Sequence, residues 1–240
     1  MTDFFVTHGA WSAGWAWRKM RPLIRAAGHE LWTPTMTGLG ERAHLAHPGI
    51  DLEHHIRDAV AVIETEDLRD LVLIGHSYGG MVATGVADRA RERVARLIYL
   101  DAFAPDDGES LMDLAAPERR ASFENKVAEE GDGWRLPPNP MPPDTPEADR
   151  AWAAPRRIPQ PAETFRQKLT LTGGALTLPI DYIYCTIAGP EDGFRRFADK
   201  ARTRGWPLHE LAASHNPHLT MPEALTALLL QITAGDGGRR

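Results

Sequence analysis

The pentapeptide Gly-His-Ser-Tyr-Gly at positions 75–79 restricts the fold of this chain more than any other part of its sequence. It comes directly after an apolar run at residues 71–74 and precedes a helix-forming stretch at residues 81–91. A Gly-x-Ser-x-Gly sequence between a strand and a helix predicts a sharp turn, in which the glycines avoid collisions and the serine is strained. Ser77 is therefore a candidate nucleophile with an exposed hydroxyl.

The pattern is too specific to be an accident of composition. With the 21 glycines of this chain, it is expected by chance about 0.04 times. A glycine-rich turn that binds phosphate is the alternative. The Lys-Ser or Lys-Thr pair of a phosphate loop and the glycine spacing of a dinucleotide site are both missing from the sequence. We therefore interpret the segment as a nucleophile turn.

Apolar runs without polar alternation predict strands that are buried on both faces. Such runs occupy residues 4–6, 71–74, 97–100 and 182–185, and weaker candidates occupy residues 29–33 and 208–212. Stretches with helical spacing of apolar residues lie between them, for example at residues 52–63. This alternation predicts an α/β protein with a mostly parallel, doubly wound sheet, and residues 1–240 fit a single domain.

The segment at residues 105–172 departs from the strand-helix alternation. It contains 11 of the 19 prolines, which disfavours long helices and any central strand. The segment is either a linker or a lid inserted over a site. It holds more apolar residues than a linker needs, which favours the lid. These residues are Leu111, Leu114, Phe123, Trp134, Trp152, Phe165 and Leu169.

Composition excludes several classes of function. A net charge of -6 and the absence of basic clusters argue against a nucleic-acid surface. No apolar run approaches the roughly 18 residues of a membrane span, and the N-terminal residues do not resemble a secretory signal, so we expect a cytoplasmic protein. Cys185 is the only cysteine, and no spacing suggests a metal site. We expect no metal, cofactor, nucleic acid or membrane as a partner, and a homodimer is left open.

A nucleophilic serine needs a neutral imidazole to take its proton. When a Gly-x-Ser-x-Gly turn carries the nucleophile, the base comes last in the chain, in the loop after the last strand. His215 and His218 are the two histidines there. His215 is favoured because it comes first after the strand and can reach back over the edge of the sheet.

Two backbone N–H groups must stabilise the oxyanion of a tetrahedral intermediate. Tyr78, the residue after the nucleophile, supplies one of them. The loop after the first strand reads His-Gly-Ala-Trp at residues 8–11, and Ala10 is the predicted second donor. We interpret His8 as a structural imidazole that binds the backbone of this loop.

The acid that orients the base has two candidate positions. Asp101 directly follows the strand at residues 97–100, whereas Glu191 and Asp192 lie in the loop after the strand at residues 182–185. Both positions precede His215. Asp192 could cap the next helix instead. Asp101 is favoured, because a carboxylate at the end of a buried strand is costly unless it is paired.

With these residues placed, the chain resembles the plant methylesterase and hydroxynitrile lyase branch of the α/β-hydrolase superfamily, and more closely its bacterial esterase-like relatives. The similarity covers residues 1–105 and 180–230. The matching segments are His-Gly-Ala-Trp at residues 8–11, Gly-Trp-Ala-Trp at residues 14–17, the turn at residues 75–80, Phe-Ala-Pro at residues 103–105, and His215 with Pro222.

The chain departs from this branch at the position of the acid. The plant members carry the acid just after a Cys-Thr pair, where this chain has Ile187 and Ala188. The haloalkane dehalogenases and some other branches resemble this chain in placing a carboxylate where Asp101 lies. The resemblance therefore implies the triad Ser77, His215 and Asp101.

The resemblance also separates esterases from lyases. Hydroxynitrile lyases carry a threonine, a glutamate and a lysine where this chain has Gly9, His76 and Asn216, which match esterases. We therefore expect hydrolysis of a small-molecule carboxylic ester through an acyl-enzyme, without a cofactor. Two alternatives stay open: a lyase or carbon–carbon bond enzyme that uses His215 as its base, and a binding protein without catalysis.

Aromatic residues near the predicted site suggest the kind of ester. Trp11 and Phe103 flank the predicted catalytic residues, and Trp134 or Trp152 could close over them from the lid. Aromatic or medium-sized apolar esters are therefore the expected substrates. The alternative is that these rings only fill the core.

Overall fold

A parallel sheet of six strands lies at the centre of the computed structural model, which describes residues 1–172, 177–188 and 192–234. The strands are β1 (Asp3–Thr7), β2 (Glu30–Trp32), β3 (Leu71–His76), β4 (Val94–Leu100), β7 (Ile180–Cys185) and β8 (Leu208–Leu211). Their spatial order is β2-β1-β3-β4-β7-β8, and each neighbouring pair is parallel. The predicted mostly parallel α/β fold is confirmed, and the weaker strand candidates also lie in the sheet.

The order of the strands reverses at the centre of the sheet. The chain runs outward from β1 to β2 and then returns to the other side of β1 with β3. The carboxyl ends of β1 and β3 therefore diverge into loops on opposite sides, which leaves a crevice where α/β proteins bind their ligands. These two ends are followed by the His-Gly-Ala-Trp loop and by Ser77.

Helices cover both faces of the sheet, which explains why its strands are apolar without alternation. These helices are α1 (Met20–Ala26), α2 (Leu52–Thr65), α3 (Gly79–Arg89), α7 (Arg195–Arg204), α8 (Pro217–Thr220) and α9 (Pro222–Ala234). On one face, Phe5, Leu73 and Leu97 pack in a core with α2, α3 and α7. On the other face, Val6 and Ile74 pack in a second core with α1 and α9. No helix in the described part of the chain is long and apolar enough to cross a membrane.

The segment at residues 105–172 contains five further elements. They are α4 (Pro117–Glu130), β5 (Arg135–Leu136), α5 (Glu147–Ala153), β6 (Gln160–Pro161) and α6 (Glu163–Arg166). Strands β5 and β6 pair in an antiparallel ribbon. Single 3-10 turns lie at Gly14–Trp17, Gly40–Leu45, Arg91–Arg93 and Ala154–Arg156.

The expectation that prolines exclude long helices from this segment was wrong for α4, which has 14 residues. Its proline is Pro117, which lies in the first turn, where a backbone N–H has no partner within the helix. No proline follows until residue 137, so α4 extends without interruption. The densest prolines, at residues 137–146, lie outside any helix, as expected.

One end of this insertion is fastened to the body of the protein. The Lys19 ammonium donates hydrogen bonds to the Asp149 carboxylate at 2.7 Å and to the Leu219 carbonyl at 2.9 Å. The Arg18 guanidinium lies 3.4 Å from the ring centroid of Trp152. Because the Asp149 carboxylate is nearly buried, this ion pair holds α5 more firmly than an exposed pair could.

Candidate active site

Ser77 lies at the turn between β3 and α3 in a left-handed backbone conformation, with φ at +55°. Serine rarely adopts this conformation, which costs on the order of 1–3 kcal/mol. Two hydrogen bonds to the Ser77 carbonyl hold the turn, one from the Gly80 N–H at 3.1 Å and one from the Phe103 N–H at 3.2 Å. The turn places Ser77 on the wall of a cavity at the carboxyl edge of the sheet.

Glycines around Ser77 allow backbone segments to approach closely. A Cβ atom at Gly79 would lie 2.0 Å from the Thr7 carbonyl oxygen, and one at Gly80 would lie 2.0 Å from the Phe103 carbonyl oxygen. Both are contacts that a side chain cannot make. The turn is therefore wedged between the ends of β1 and β4, and Gly80 is as necessary as the two glycines of the sequence pattern.

His215 follows β8 and reaches Asp101 across the edge of the sheet. Its Nδ1 atom lies 2.7 Å from Oδ2 of Asp101, and its ring stacks on Phe194 with centroids 4.7 Å apart. A carboxylate can only accept, so Nδ1 of a neutral His215 carries the proton and Nε2 keeps its lone pair. His215 lines the same cavity as Ser77. Nε2 of His215 is therefore a proton acceptor in the cavity that Ser77 lines.

Asp101 directly follows β4 and is also in the left-handed region, with φ at +42°. Its backbone N–H donates to the Ile183 carbonyl at 2.8 Å, and its Oδ1 atom accepts the Cys185 N–H at 3.2 Å. The carboxylate is nearly buried, so these bonds offset part of its desolvation. Burial and the Asp101 charge raise the pKa of the Cys185 thiol. The thiol is therefore neutral beside the carboxylate.

The alternative acid and base have other contacts. Oδ1 of Asp192 accepts the N–H groups of Phe194 and Arg195, each at 3.0 Å, so this carboxylate caps α7. Glu191 lies outside the described residues. His218 stacks on Trp17 with ring centroids 4.6 Å apart, and burial lowers its pKa to about 3. Of the two candidate bases, His215 is the one with a carboxylate partner.

Sequence reasoning missed a structural role for His76. This imidazole is buried next to the nucleophile, and its Nε2 donates a hydrogen bond of 2.8 Å to the His215 carbonyl. Burial, together with the nearby His218 and His215, holds the pKa of His76 well below its usual value. His76 is therefore a neutral donor that fixes the loop of His215. The signal in the sequence that could have indicated this role is that His76 directly precedes the nucleophile Ser77.

The loop after β1 is held by His8, as expected of a structural imidazole. The Met36 N–H donates to Nε2 of His8 at 3.1 Å, and Nδ1 of His8 donates to the Gly9 carbonyl at 3.0 Å. Burial lowers the pKa of His8 to about 4. The imidazole is therefore neutral and joins two loops.

Trp11 ends this loop and is tied to the insertion. Its backbone has φ at +57°, its N–H donates to Oε1 of Gln160 at 3.0 Å, and its indole N–H donates to the Leu136 carbonyl at 2.9 Å. The Trp11 N–H is therefore used within the protein, whereas Ala10, the predicted oxyanion donor, lines the cavity. Gln160 is a second residue that sequence reasoning missed.

The Tyr78 side chain is buried in the core. Its hydroxyl donates to Nδ1 of His55 at 2.9 Å, because Nε2 of His55 donates to the Thr37 carbonyl at 3.0 Å. Burial raises the pKa of the Tyr78 phenol, which therefore stays neutral. These contacts lock the first turn of α3. The backbone N–H of Tyr78 is thus the group that it can present to the cavity.

The cavity in front of Ser77 has a volume of about 790 Å³. Its walls are mainly apolar and come from the carboxyl edge of the sheet and from the insertion. The aromatic side chains that line it belong to Trp11, Trp15, Phe103, Phe123, Phe165 and Phe194. Two of these, Phe123 and Phe165, belong to residues 105–172, which therefore contribute one side of the cavity.

Trp11 and Phe103 line this cavity as predicted, but the prediction of Trp134 as a substrate-binding residue needs correction. Trp134 lies in the turn before β5, and its ring is beside Arg135, whose guanidinium carbon is 4.8 Å from the ring centroid. Trp152 does not line the cavity either. Its ring packs edge-on against Trp15. Phe123 and Phe165, rather than these two tryptophans, are the aromatic residues of the segment at residues 105–172 that line the cavity.

Comparison with known proteins gives consistent similarities. The sequence profile described as the alpha/beta hydrolase family matches residues 4–228. The carbendazim hydrolyzing esterase of a Nocardioides species is 39% identical over 95% of this chain and 98% of its own length. The polyneuridine aldehyde esterase of Rauvolfia serpentina is 28% identical over 45% of this chain and 41% of its own length.

A solved structure is also similar. It is an extracellular α/β-hydrolase from a Paenibacillus species, described as sharing structural and functional homology with tobacco salicylic acid-binding protein 2. It superposes with a TM-score of 0.84 at 25% identity and covers 96% of this chain and 98% of its own. The architecture of most of this chain is thus found in a known protein.

Proposed function

The chain belongs to the α/β hydrolase family, and from this premise we propose that it is a serine carboxylesterase acting on small to medium carboxylic esters, aromatic ones among them. One observation carries the proposal. His215, whose Nδ1 atom is 2.7 Å from Asp101, lines the same cavity as Ser77. The esterases similar to this chain support the same reaction class.

In the acylation step, the Ser77 hydroxyl oxygen attacks the ester carbonyl while Nε2 of His215 takes the hydroxyl proton. The carbonyl oxygen becomes an oxyanion, which the N–H groups of Ala10 and Tyr78 stabilise. Collapse of this intermediate breaks the bond to the alcohol, which leaves with the proton of His215. The acyl group is then bound to Ser77.

Water completes the reaction. Nε2 of His215 takes a proton from water, which attacks the acyl carbonyl, and the acid is released as Ser77 regains its proton. Asp101 holds the proton on Nδ1 of His215 and stabilises the imidazolium that forms in each step. Both steps therefore use the same two N–H donors and the same base.

The cavity supports an aromatic substrate. A volume of about 790 Å³ is large enough for a drug-sized molecule, and its walls are mainly aromatic and apolar. Trp11 and Phe103 lie on either side of the Ser77 turn in sequence and both line the cavity. Flat aromatic groups gain dispersion and edge contacts in such surroundings.

A carbamic ester is the second candidate substrate. The Nocardioides relative is named for carbendazim hydrolysis and aligns with nearly the whole chain at 39% identity. Carbendazim is a methyl carbamate attached to an aromatic ring system. Its carbonyl can pass through the same oxyanion and the same acyl-enzyme, so the proposed mechanism needs no additional group.

The test is an ester panel of varied acyl and alcohol size, with carbendazim included, on wild type and Ser77→Ala. We expect a burst with para-nitrophenyl acetate, labelling of Ser77 by a fluorophosphonate, and loss of both in Ser77→Ala. Absence of turnover, burst and labelling in folded wild type would overturn the proposal. A lyase predicts no burst with an activated aryl ester, and a binding protein predicts thermal stabilisation by ligand without turnover.

A further inference from the structure

The charge of the cavity is opposite to that of the chain. The chain has 33 acidic and 27 basic residues, so an average surface would carry more acids than bases. Among the described residues that line the cavity, the charged ones are Arg119, Lys126, Arg157, Arg196 and Asp192. The carboxylate of Asp192 already caps α7 and pairs with Arg195 at 3.5 Å. The cavity is therefore basic in an acidic protein.

The charged residues of helix α4 contribute to the basic character of the cavity. Arg119 and Lys126 are seven residues apart, which places them on one face of the helix, and both line the cavity. None of the four glutamates of α4 lines the cavity, and Glu124 instead pairs with Arg166. The helix thus presents two of its three basic side chains, and none of its acidic ones, to the cavity.

Two of the cations meet at a neutral residue. The Lys126 ammonium donates to the side-chain oxygen of Asn139 at 3.2 Å, and the Arg157 guanidinium donates to the backbone carbonyl of Asn139. Asn139 itself lines the cavity. Across residues 1–172, 177–188 and 192–234, neither cation forms an ion pair with a carboxylate.

Arg157 is the more constrained of the two. It is half-buried, and its guanidinium carbon lies 5.7 Å from the ring centroid of Trp11, at the end of the loop that carries Ala10. Burial lowers the pKa of Arg157, and no neighbouring charge offsets this effect. A guanidinium at such a position gains from an added anion, because the ion pair replaces part of its lost hydration.

We propose that Arg157 and Lys126 form a subsite for a carboxylate carried by the substrate, so that the preferred esters are anionic. This rests on the proposed esterase function and names its substrate class. The aromatic part of such an ester lies on Trp11, and its carboxylate lies beside Asn139, at the end of the cavity formed by the insertion. The planar guanidinium can bind the carboxylate through two hydrogen bonds, and the ammonium adds a point charge.

The test compares esters that differ only in charge. One pair places the charge in the alcohol, para-carboxyphenyl acetate against para-carbamoylphenyl acetate. The other places it in the acyl part, monomethyl terephthalate against methyl para-carbamoylbenzoate. Each pair is measured on wild type, Arg157→Gln and Lys126→Gln, so the intrinsic reactivity of the esters cancels in the ratio of kcat/KM.

We expect the anionic-to-neutral ratio of at least one pair to fall about tenfold in each variant, mainly through KM. Arg157→Lys keeps the charge and should keep most of the ratio. Arg120→Gln is the matched control, because Arg120 lies next to Arg119 on α4, is exposed and does not line the cavity. If neither pair changes its ratio in Arg157→Gln and Lys126→Gln, the subsite does not exist.

A binding measurement separates this proposal from the esterase function. Calorimetric titration with benzoate and with benzamide should show tighter binding of benzoate to wild type, and the difference should disappear in Arg157→Gln. Hydrolysis of neutral esters with no preference for benzoate would overturn the subsite alone. Preference for benzoate without hydrolysis of any ester would overturn the esterase function and support the subsite.

Discussion

His76 donates a 2.8 Å hydrogen bond from Nε2 to the backbone carbonyl of His215, so the residue before the nucleophile fixes the loop of the base. The two rings are 4.9 Å apart. If a buried carbonyl loses its hydrogen-bond donor, the protein is destabilised by about 1–3 kcal/mol, and the loop can avoid this loss by moving. His76 is therefore a positioning residue for His215.

The first prediction concerns this contact. His76→Leu should lower kcat about 10- to 100-fold with little change in KM, because His215 moves relative to Ser77 while the cavity stays open. His76→Gln should recover most of the loss, since its amide can donate to the same carbonyl. Steady-state kinetics with a neutral aryl ester measures both. Equal losses in the two variants would show that His76 only fills space.

The second prediction tests the acid. Asp101→Asn should lower kcat by about 10⁴-fold, because an amide cannot hold the required tautomer of His215 or stabilise its imidazolium. Asp192→Asn is the control. It keeps a side-chain oxygen that can accept the N–H groups at the start of α7, so stability should change by less than about 1 kcal/mol and activity should be kept. Loss of activity in Asp192→Asn alone would reverse the assignment.

The third prediction concerns acid stability. Burial lowers the pKa of His8 and of His55 to about 4 and that of His218 to about 3. In the unfolded chain the pKa of these imidazoles is about 6.5. Between these values the unfolded state binds more protons than the folded state. The free energy of unfolding should therefore fall as the pH drops from about 6.5 toward about 4.

Urea denaturation at several pH values measures this fall. His218→Phe removes one titrating group and keeps a ring on Trp17, so its unfolding free energy should depend less steeply on pH over that range. His44→Phe, at an exposed position, should leave the slope unchanged. An unchanged slope in His218→Phe would mean that this imidazole titrates alike in both states.

The fourth prediction tests the close contact below the nucleophile turn. Gly79→Ala places a Cβ atom 2.0 Å from the Thr7 carbonyl and should cost about 4 kcal/mol or prevent folding. Gly28→Ala is the control. Gly28 lies in the left-handed backbone region, with φ at +82°, but a Cβ there meets nothing within 4 Å. It should cost only about 1–2 kcal/mol in chemical denaturation.

Residues at strand ends were predictable because the fold brings such ends together. Ser77 and Asp101 each follow a strand that the apolar runs identify, and parallel strands end at one edge of the sheet. His215 followed from chain order. The order of the strands and loops therefore predicts the contact between Asp101 and His215.

Residues that act through distant partners could not be predicted in the same way. Gln160 meets the Trp11 N–H from 149 positions away, and no local pattern indicates that a glutamine of a proline-rich segment accepts it. The sequence also does not indicate which aromatic residues of this segment line the cavity. Trp134 lies in a turn that directs it toward Arg135, whereas Phe123 lies on the cavity side of α4, and apolar content alone cannot separate them.

The two hydrogen bonds of Trp11 to Gln160 and Leu136 limit how the insertion can be exchanged between proteins. The loop that presents Ala10 is completed by atoms of the insertion. A chimera that received a foreign insertion to alter its specificity would also receive a different support for this loop. Such a graft should keep its rate only if it again supplies a side-chain acceptor for the Trp11 N–H and a carbonyl for the indole.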